Sequence, residues 1–332
     1  MTLSLPRSVL LRLAAGALLA AAHAAWSAEP LRGAGASLPA PVFDAWAEAY
    51  GRTTGQAVRY DPLGSGLGIE MAARRQVDFG ATDAPLPADG LAADGLRQVP
   101  ALIGAVVPVV NIAGVAPGKL VLDAAALSAI YRGAIVNWRD PAIAALNPGL
   151  SLPDARITVV HRADASGTTW LWSRWLAGRD SAWNAQVGSG TTLAWPVGVE
   201  GLGNEGVASL VRRTRAAIGY VGFAYARSHG LSDIALPTRD GAVVRADRAS
   251  FEAAVAAAHW HVPADLAQSL LDEPGPRSWP IVGASYVLLP GAQATAFFDW
   301  ALDVGAGIAN GLDYVALPAD AVALVRGVLA PR

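Results

Sequence analysis

Three times in this chain a small-residue loop opens a helix-like run. The loops are "GAGAS" (33–37), "GSG" (64–66) and "DASGT" (164–168). The β-like run "AVRY" (57–60) leads into the second, and "ITVV" (157–160) into the third. After the first loop, Val42, Trp46 and Tyr50 fall four apart with Phe43 and Ala47 beside them, which makes one helical face. Pro41 suits the first turn of that helix. "GIEMAARRQ" follows the second loop and is helical in composition. "TTWLWSRWL" follows the third and puts Leu171, Trp172, Trp175 and Leu176 on one face. Repetition of strand, loop and helix points to an α/β fold with mainly parallel sheets.

Other segments extend the pattern. "VDFGATD" (77–83), "AAIGYVGFAYA" (216–226) and "PIVGASYVLLP" (280–290) read as buried strands. "GNEGVASLVRRTR" (203–215), "ATAFFDWALDVGAGIANG" and "ADAVALVRGVLA" read as helices. Residues 101–118 are apolar but interrupted by Pro108, Asn111 and Pro117. A fully buried parallel strand explains that run better than a membrane span.

The 332 residues suggest about two domains. No repeat or low-complexity linker separates them, so the chain is expected to cross between domains in packed strands. Hydrophobic residues form 53% of the chain, charged residues 16%, and the net charge is −2. Without a long basic stretch, a nucleic-acid partner is not expected. The absence of cysteine excludes disulfides, thiolate metal sites, thiol catalysis and a lipid-bearing N-terminal cysteine. Arg7 and Arg12 precede "LAAGALLAAAHAAWSA", and Ala22-His23-Ala24 fits a small-x-small cleavage site. Residues 1–24 therefore read as a signal peptide, and the mature protein as soluble and periplasmic.

The three loops share one chemical property. A helix N-terminus presents unpaired backbone N–H groups, and the helix dipole there favours negative charge. In open α/β sheets such loops lie beyond the carboxyl ends of strands, where ligands bind. Each loop taken alone also reads as a capped helix start, with Ser37, Ser65 and Ser166 as caps or turn residues. "HRADASGTTW" (161–170) adds Arg162 and Asp164 to the third loop. Its residues admit three readings: a nucleophile with helpers, a plain helix cap, or a cage for a small anion.

Several chemistries fit poorly. Gly118-Lys119 is followed by Leu120, so no phosphate-binding P-loop is present. Leu63 stands where a nucleophile elbow around Ser65 would need its first glycine. His161 lies five residues before Ser166, but no third group completes a catalytic set. His259 and His261 could share a strand face and hold a metal. No carboxylate motif accompanies them, so they read as surface or packing histidines. Asp83 ends "VDFGATD". It is out of place beside a fully ionised anion but useful beside one that still carries a proton. Alone it also reads as an exposed strand-end cap.

Taken together, "GAGASLPAPVFDAWAEAY", "GSGLG", "VDFGATDAPL", "HRADASGTTW", "WPVGVEGLGNEGVASLVRR" and "AAIGYVGFAYA" resemble the periplasmic phosphate-binding protein of high-affinity phosphate ABC transporters. The similarity runs in order over nearly the whole mature chain. It implies a two-lobed, type II periplasmic-binding-protein (Venus-flytrap) fold. Two α/β domains with mixed, mainly parallel sheets would be joined by two crossover strands. Lobe 1 would combine residues 29–103 with 279–332, and lobe 2 would span 104–278.

The resemblance also implies the site. Phosphate would meet the Ser37 hydroxyl, the Leu38 N–H, Ser65, Asp83 as acceptor of its proton, Arg162, Ser166, Gly167 and Thr168. Asp164 would be the ion-pair partner of Arg162. No cofactor or metal is implied, and the protein would not be an enzyme. It would act as a monomer with a membrane permease and ATPase. A paralogue used in sensing, attachment or secretion, or a phosphatase-like enzyme, is the alternative. Ser37 and Leu38 stand where threonine and phenylalanine are common in that family. Leu67 interrupts a glycine run, and Ala165 replaces a common glycine. If position 165 needs a positive φ, alanine would cost about 1 kcal/mol there.

Overall fold

The computed structural model describes residues 29–258 and 266–330. The expected signal peptide and the His259/His261 pair lie outside the described residues. The described residues open with β1 (Leu31–Gly35), α1 (Ala40–Thr54), β2 (Val58–Asp61), α2 (Ser65–Ala73), β3 (Phe79–Thr82) and α3 (Ala88–Asp94). The long β4 (Arg97–Val110) follows. Next come α4 (Ala124–Tyr131), α5 (Pro141–Leu146), β5 (Thr158–Arg162), α6 (Gly167–Arg179), α7 (Ser181–Gln186), β6 (Val199–Gly201) and α8 (Gly203–Arg213). Then β7 (Ala217–Gly222) leads into α9 (Phe223–Ser228), the short strands β8 (Ser232–Asp233), β9 (Leu236–Pro237) and β10 (Val243–Val244), and α10 (Arg248–Ala257). The described residues close with β11 (Val282–Leu289), α11 (Thr295–Gly311) and α12 (Ala319–Leu329). Among the described residues no helix is long and apolar enough to cross a membrane.

The main sheet has the order β2-β1-β3-β11-β4-β7-β5-β6, with β8 also paired to β4. Its flanks are parallel: β1 pairs with β2 and β3, and β5 with β6 and β7. Its middle is antiparallel, because β11 runs against β3 and β4, and β4 runs against β7. The expectation of a parallel strand at 101–118 is therefore corrected. The strand spans 97–110, is buried for nearly its whole length, and is antiparallel to both neighbours. The cause is its path. It pairs with β11 through Arg97–Ala105 and with β7 through Val106–Val110. It runs in the direction of β3 in the first group of strands and against β7 in the second. The carboxyl ends of β1 and β3 thus face those of β5 and β7.

A second correction concerns residues 216–226. The strand stops at Gly222, and Phe223 begins a helix. A short apolar run suits a buried strand and a buried helical turn equally well. Here Phe223, Tyr225 and Ala226 are all buried in the helical form.

The expected helical faces are the buried ones. α1 buries Val42, Phe43, Trp46 and Tyr50. Phe43 meets Tyr60 edge-on at 4.9 Å, and Phe79 meets Phe298 edge-on at 5.0 Å. Such pairs contribute about 0.5–1.5 kcal/mol beyond the area they bury. α6 buries Leu171, Trp172, Trp175 and Leu176, with Trp172 stacked on Tyr220 at 5.1 Å.

α2, which carries Ser65, lies unusually close to the sheet. A Cβ at Gly68 would sit 2.5 Å from both the Ala81 carbonyl oxygen and the Gly35 Cα. Backbone atoms cannot yield, so only glycine allows this approach. Gly68→Ala should lower the unfolding free energy by about 1–3 kcal/mol in urea titrations. Gly307→Ala in α11 meets nothing within 4 Å and should be neutral or stabilising by up to about 1 kcal/mol. Equal stabilities for the two variants would contradict this packing.

Candidate functional site

The facing strand ends bring their loops into one buried cluster. Ser37 and Leu38 follow β1, Asp83 follows β3, and Arg162 ends β5. Ser65 begins α2, while Ser166, Gly167 and Thr168 form the start of α6. All of these residues are buried, and the Arg162 side chain is 1% exposed. Asp83 is also 1% exposed, which rules out the reading as an exposed strand-end cap.

Of the three loop serines, only Ser166 caps its helix, accepting from the Thr169 N–H at 3.0 Å. α1 and α2 begin at Pro39 and Gly64 without a side-chain cap. Ser65 Oγ instead accepts from the N–H of Gly167 (3.0 Å) and Asp83 (3.3 Å). It thereby ties the start of α6 to the end of β3. Gly167 must be glycine for this: a Cβ there would lie 2.6 Å from both Asp83 Cβ and Ser65 Oγ.

Tyrosine hydroxyls hold the first loop in place. Those of Tyr60, Tyr225 and Tyr314 donate to the carbonyls of Ala36 (2.7 Å), Ser37 (2.8 Å) and Leu38 (2.6 Å). C=O and N–H point opposite ways across a trans peptide. The Leu38 N–H is thus aimed away from Tyr225. The Leu38 side chain fills the room left by Gly104 and Gly222.

Arg162 gives its Nε to Asp164 Oδ1 at 2.8 Å and its Nη2 to Asp164 Oδ2. The Gly203 N–H also donates to Asp164 Oδ1, at 3.0 Å. Burial pushes the Asp164 carboxyl up. The guanidinium's hydrogen bonds and charge, with the Gly203 N–H, outweigh this and hold it below the usual carboxylate range. Because Asp164 takes the forked edge of the guanidinium, Nη1 is left buried with no partner in the protein.

Asp83 is the complementary case. Its Oδ1 accepts from the Ser285 hydroxyl at 2.6 Å, and its Oδ2 is buried without a partner. Ser285 sits at an irregularity in the β11–β4 pairing, a feature that re-aims side chains. Burial pushes the Asp83 carboxyl up to about 7, against the Ser285 hydrogen bond and the Arg162 charge, which lower it.

The cluster thus contains every residue expected from the sequence: Ser37, Leu38, Ser65, Asp83, Arg162, Asp164, Ser166, Gly167 and Thr168. His161 is separate from it. Its ring stacks on Trp195 at 4.6 Å, and its Nδ1 lies 3.3 Å from the Arg162 carbonyl. No hydrogen bond joins it to Ser166, so His161 is not placed as a base for that hydroxyl. Ala165 does not adopt a positive φ. The conditional strain at that position is absent, and Gly66 leaves room for its Cβ. Leu67 is 47% exposed and stays outside the cluster.

The sequence reading missed Asn204, Gly203 and Ser285. Asn204 is fully buried. Its backbone N–H and Nδ2 donate to Ser37 Oγ at 3.1 and 2.9 Å, and Nδ2 also reaches Thr168 Oγ1 at 3.2 Å. Its position in "GLGNEG", a polar residue in a glycine-rich helix start, was the available signal.

The raised Asp83 pKa has a consequence for stability. Below an ordinary carboxylate pKa of about 4, Asp83 is protonated in both folded and unfolded chains. As pH rises from there to about 7, only the unfolded chain ionises, so stability is progressively lost. Asp83→Asn removes this loss. Without bound anion, the stability of the variant relative to the parent should rise across that window and level off above it. A difference independent of pH in urea titrations would contradict the burial of an ionisable Asp83.

Known proteins resemble this chain in sequence and in fold. The model of the PBP superfamily domain matches residues 20–304. The Haemophilus influenzae protein named phosphate-binding protein PstS is 43% identical over 307 residues, covering 90% of this chain and 92% of that protein. A high-affinity periplasmic phosphate-binding protein, PfluDING, solved with phosphate, superposes with a TM-score of 0.73 at 20% identity, covering 90% and 93% of the two chains. A putative phosphate ABC transporter substrate-binding protein from Clostridium perfringens, with bound phosphate, gives 0.65 at 20% identity, covering 87% of this chain and 100% of that one. The two structures establish the type II, two-lobed fold, and the sequence match establishes the lineage: this chain belongs to the PstS family of phosphate-binding proteins.

Proposed function

We propose that this protein is a periplasmic receptor that binds inorganic phosphate between two lobes and delivers it to the permease and ATPase of an ABC transporter. The observation that carries the reading is the pair of buried, unpartnered groups in one cluster, Arg162 Nη1 and Asp83 Oδ2. One can only donate and the other accepts when ionised, and hydroxyls and helix-start N–H groups surround them. A tetrahedral anion that keeps one proton satisfies both. Sulfate carries no proton and would meet the ionised Asp83 carboxylate as repulsion.

Ser37, the Leu38 N–H, Ser65, Asp83, Arg162, Ser166, Gly167 and Thr168 would contact phosphate, with Asp164 holding the guanidinium. The Gly167 N–H is donated to Ser65 Oγ here, so it would be shared with the ligand. The lobes would be residues 29–103 with 279–332, and 104–278. The change of partner along β4 between Ala105 and Val106 supports that boundary. Residues 1–24 would be removed on export, leaving a soluble monomer that binds and releases without chemistry.

Arg162→Ala tests the reading. A charge-assisted hydrogen bond contributes about 1.5–3 kcal/mol. Its removal also leaves Asp164 as an unpaired negative charge near the anion. Phosphate affinity should fall by at least about 100-fold, since 1.4 kcal/mol is a factor of ten. Arg162→Lys keeps the charge but cannot hold Asp164 in a fork, so it should fall between. Unchanged calorimetric affinity in ligand-stripped, folded Arg162→Ala would place the anion elsewhere.

A further inference from the structure

We infer that Asn204 is a positioning residue that fixes the direction of the Ser37 hydroxyl, so that it can only donate to the anion, and biases the Thr168 hydroxyl the same way. The inference rests on the phosphate reading and adds a residue that does not itself need to touch the ligand.

A hydroxyl has one proton to give and two positions at which to accept. Ser37 Oγ receives both the backbone N–H and the Nδ2 of Asn204. Its accepting positions are filled, and its own proton must point elsewhere. Thr168 Oγ1, on the other side of the cluster, receives the same Nδ2, which fills one of its two accepting positions. The amide cannot turn over. Its Oδ1 accepts from the Gly222 N–H at 2.8 Å, and a flip would set two donors against each other there. Ser65 uses the same device with backbone donors, from Gly167 and Asp83. The hydroxyls are thereby polarised toward donation, and Asp83 Oδ2 is left as the acceptor. Without Asn204, Ser37 and Thr168 could rotate and present lone pairs to an anion.

Asn204→Asp distinguishes this role from simple packing. When ionised, the new carboxylate accepts from the Ser37 and Thr168 hydroxyls and turns their protons away from the ligand. When protonated, it offers an O–H where Nδ2 was. Relative to the parent at the same pH, phosphate affinity should fall about tenfold or more at about pH 8, and the deficit should shrink toward about pH 5.5. The second arm is Asn204→Ala, made in the parent and in a Ser37→Ala/Thr168→Val background. Its cost should largely vanish where the two hydroxyls are missing. Parent-like affinity of Asn204→Asp at high pH would overturn the inference. So would a deficit that ignores pH, or an equal cost of Asn204→Ala in both backgrounds. Failure of the parent itself to bind phosphate would overturn the phosphate reading on which this one rests.

Discussion

The site depends on one shared strand. β4 pairs with β11 along one half and with β7 along the other. A buried strand cannot leave its N–H and C=O groups unpaired, so each half is locked to its own neighbours. The change of partner fixes the direction in which the two groups of parallel strands meet. Their carboxyl ends face each other, and the loops beyond them have nowhere to converge except on the same spot. That convergence explains how Ser37 and Asn204, 167 residues apart, share a hydrogen bond.

Burying so many polar groups is costly unless each finds a partner. Most are satisfied by one another: Ser65 by Gly167 and Asp83, Asp164 by Arg162 and Gly203, the first loop's carbonyls by three tyrosines. Arg162 Nη1 and Asp83 Oδ2 remain. In the proposed reading, the same desolvation that lifts the Asp83 pKa to about 7 would suit it to share a proton with an anion near neutral pH. Local instability and the proposed recognition would then have one cause.

Much of this was legible in the sequence where the signal is local. The faces of α1 and α6 follow from apolar spacing, and the loop residues stand in short motifs whose order matches the fold. The direction of β4 was not legible. A strand buried on both faces shows no alternation, and its pairing partners are set by segments far along the chain. The helix at Phe223 was hidden for a similar reason, since four apolar residues suit either backbone form. Asn204 and Ser285 were missed because their partners lie far away in sequence. Ala165 could not be judged without its backbone angle, which is ordinary.

With Asp83 ionised, the donor-rich cluster would accept a protonated tetrahedral anion and reject an unprotonated one. Calorimetric titration of the ligand-stripped parent with phosphate and with sulfate, at about pH 8.5 and fixed ionic strength, tests it most directly, because Asp83 is ionised there while phosphate keeps one proton. Saturable binding of one phosphate per chain and no measurable heat from sulfate are expected. Sulfate binding as tight as phosphate would contradict it.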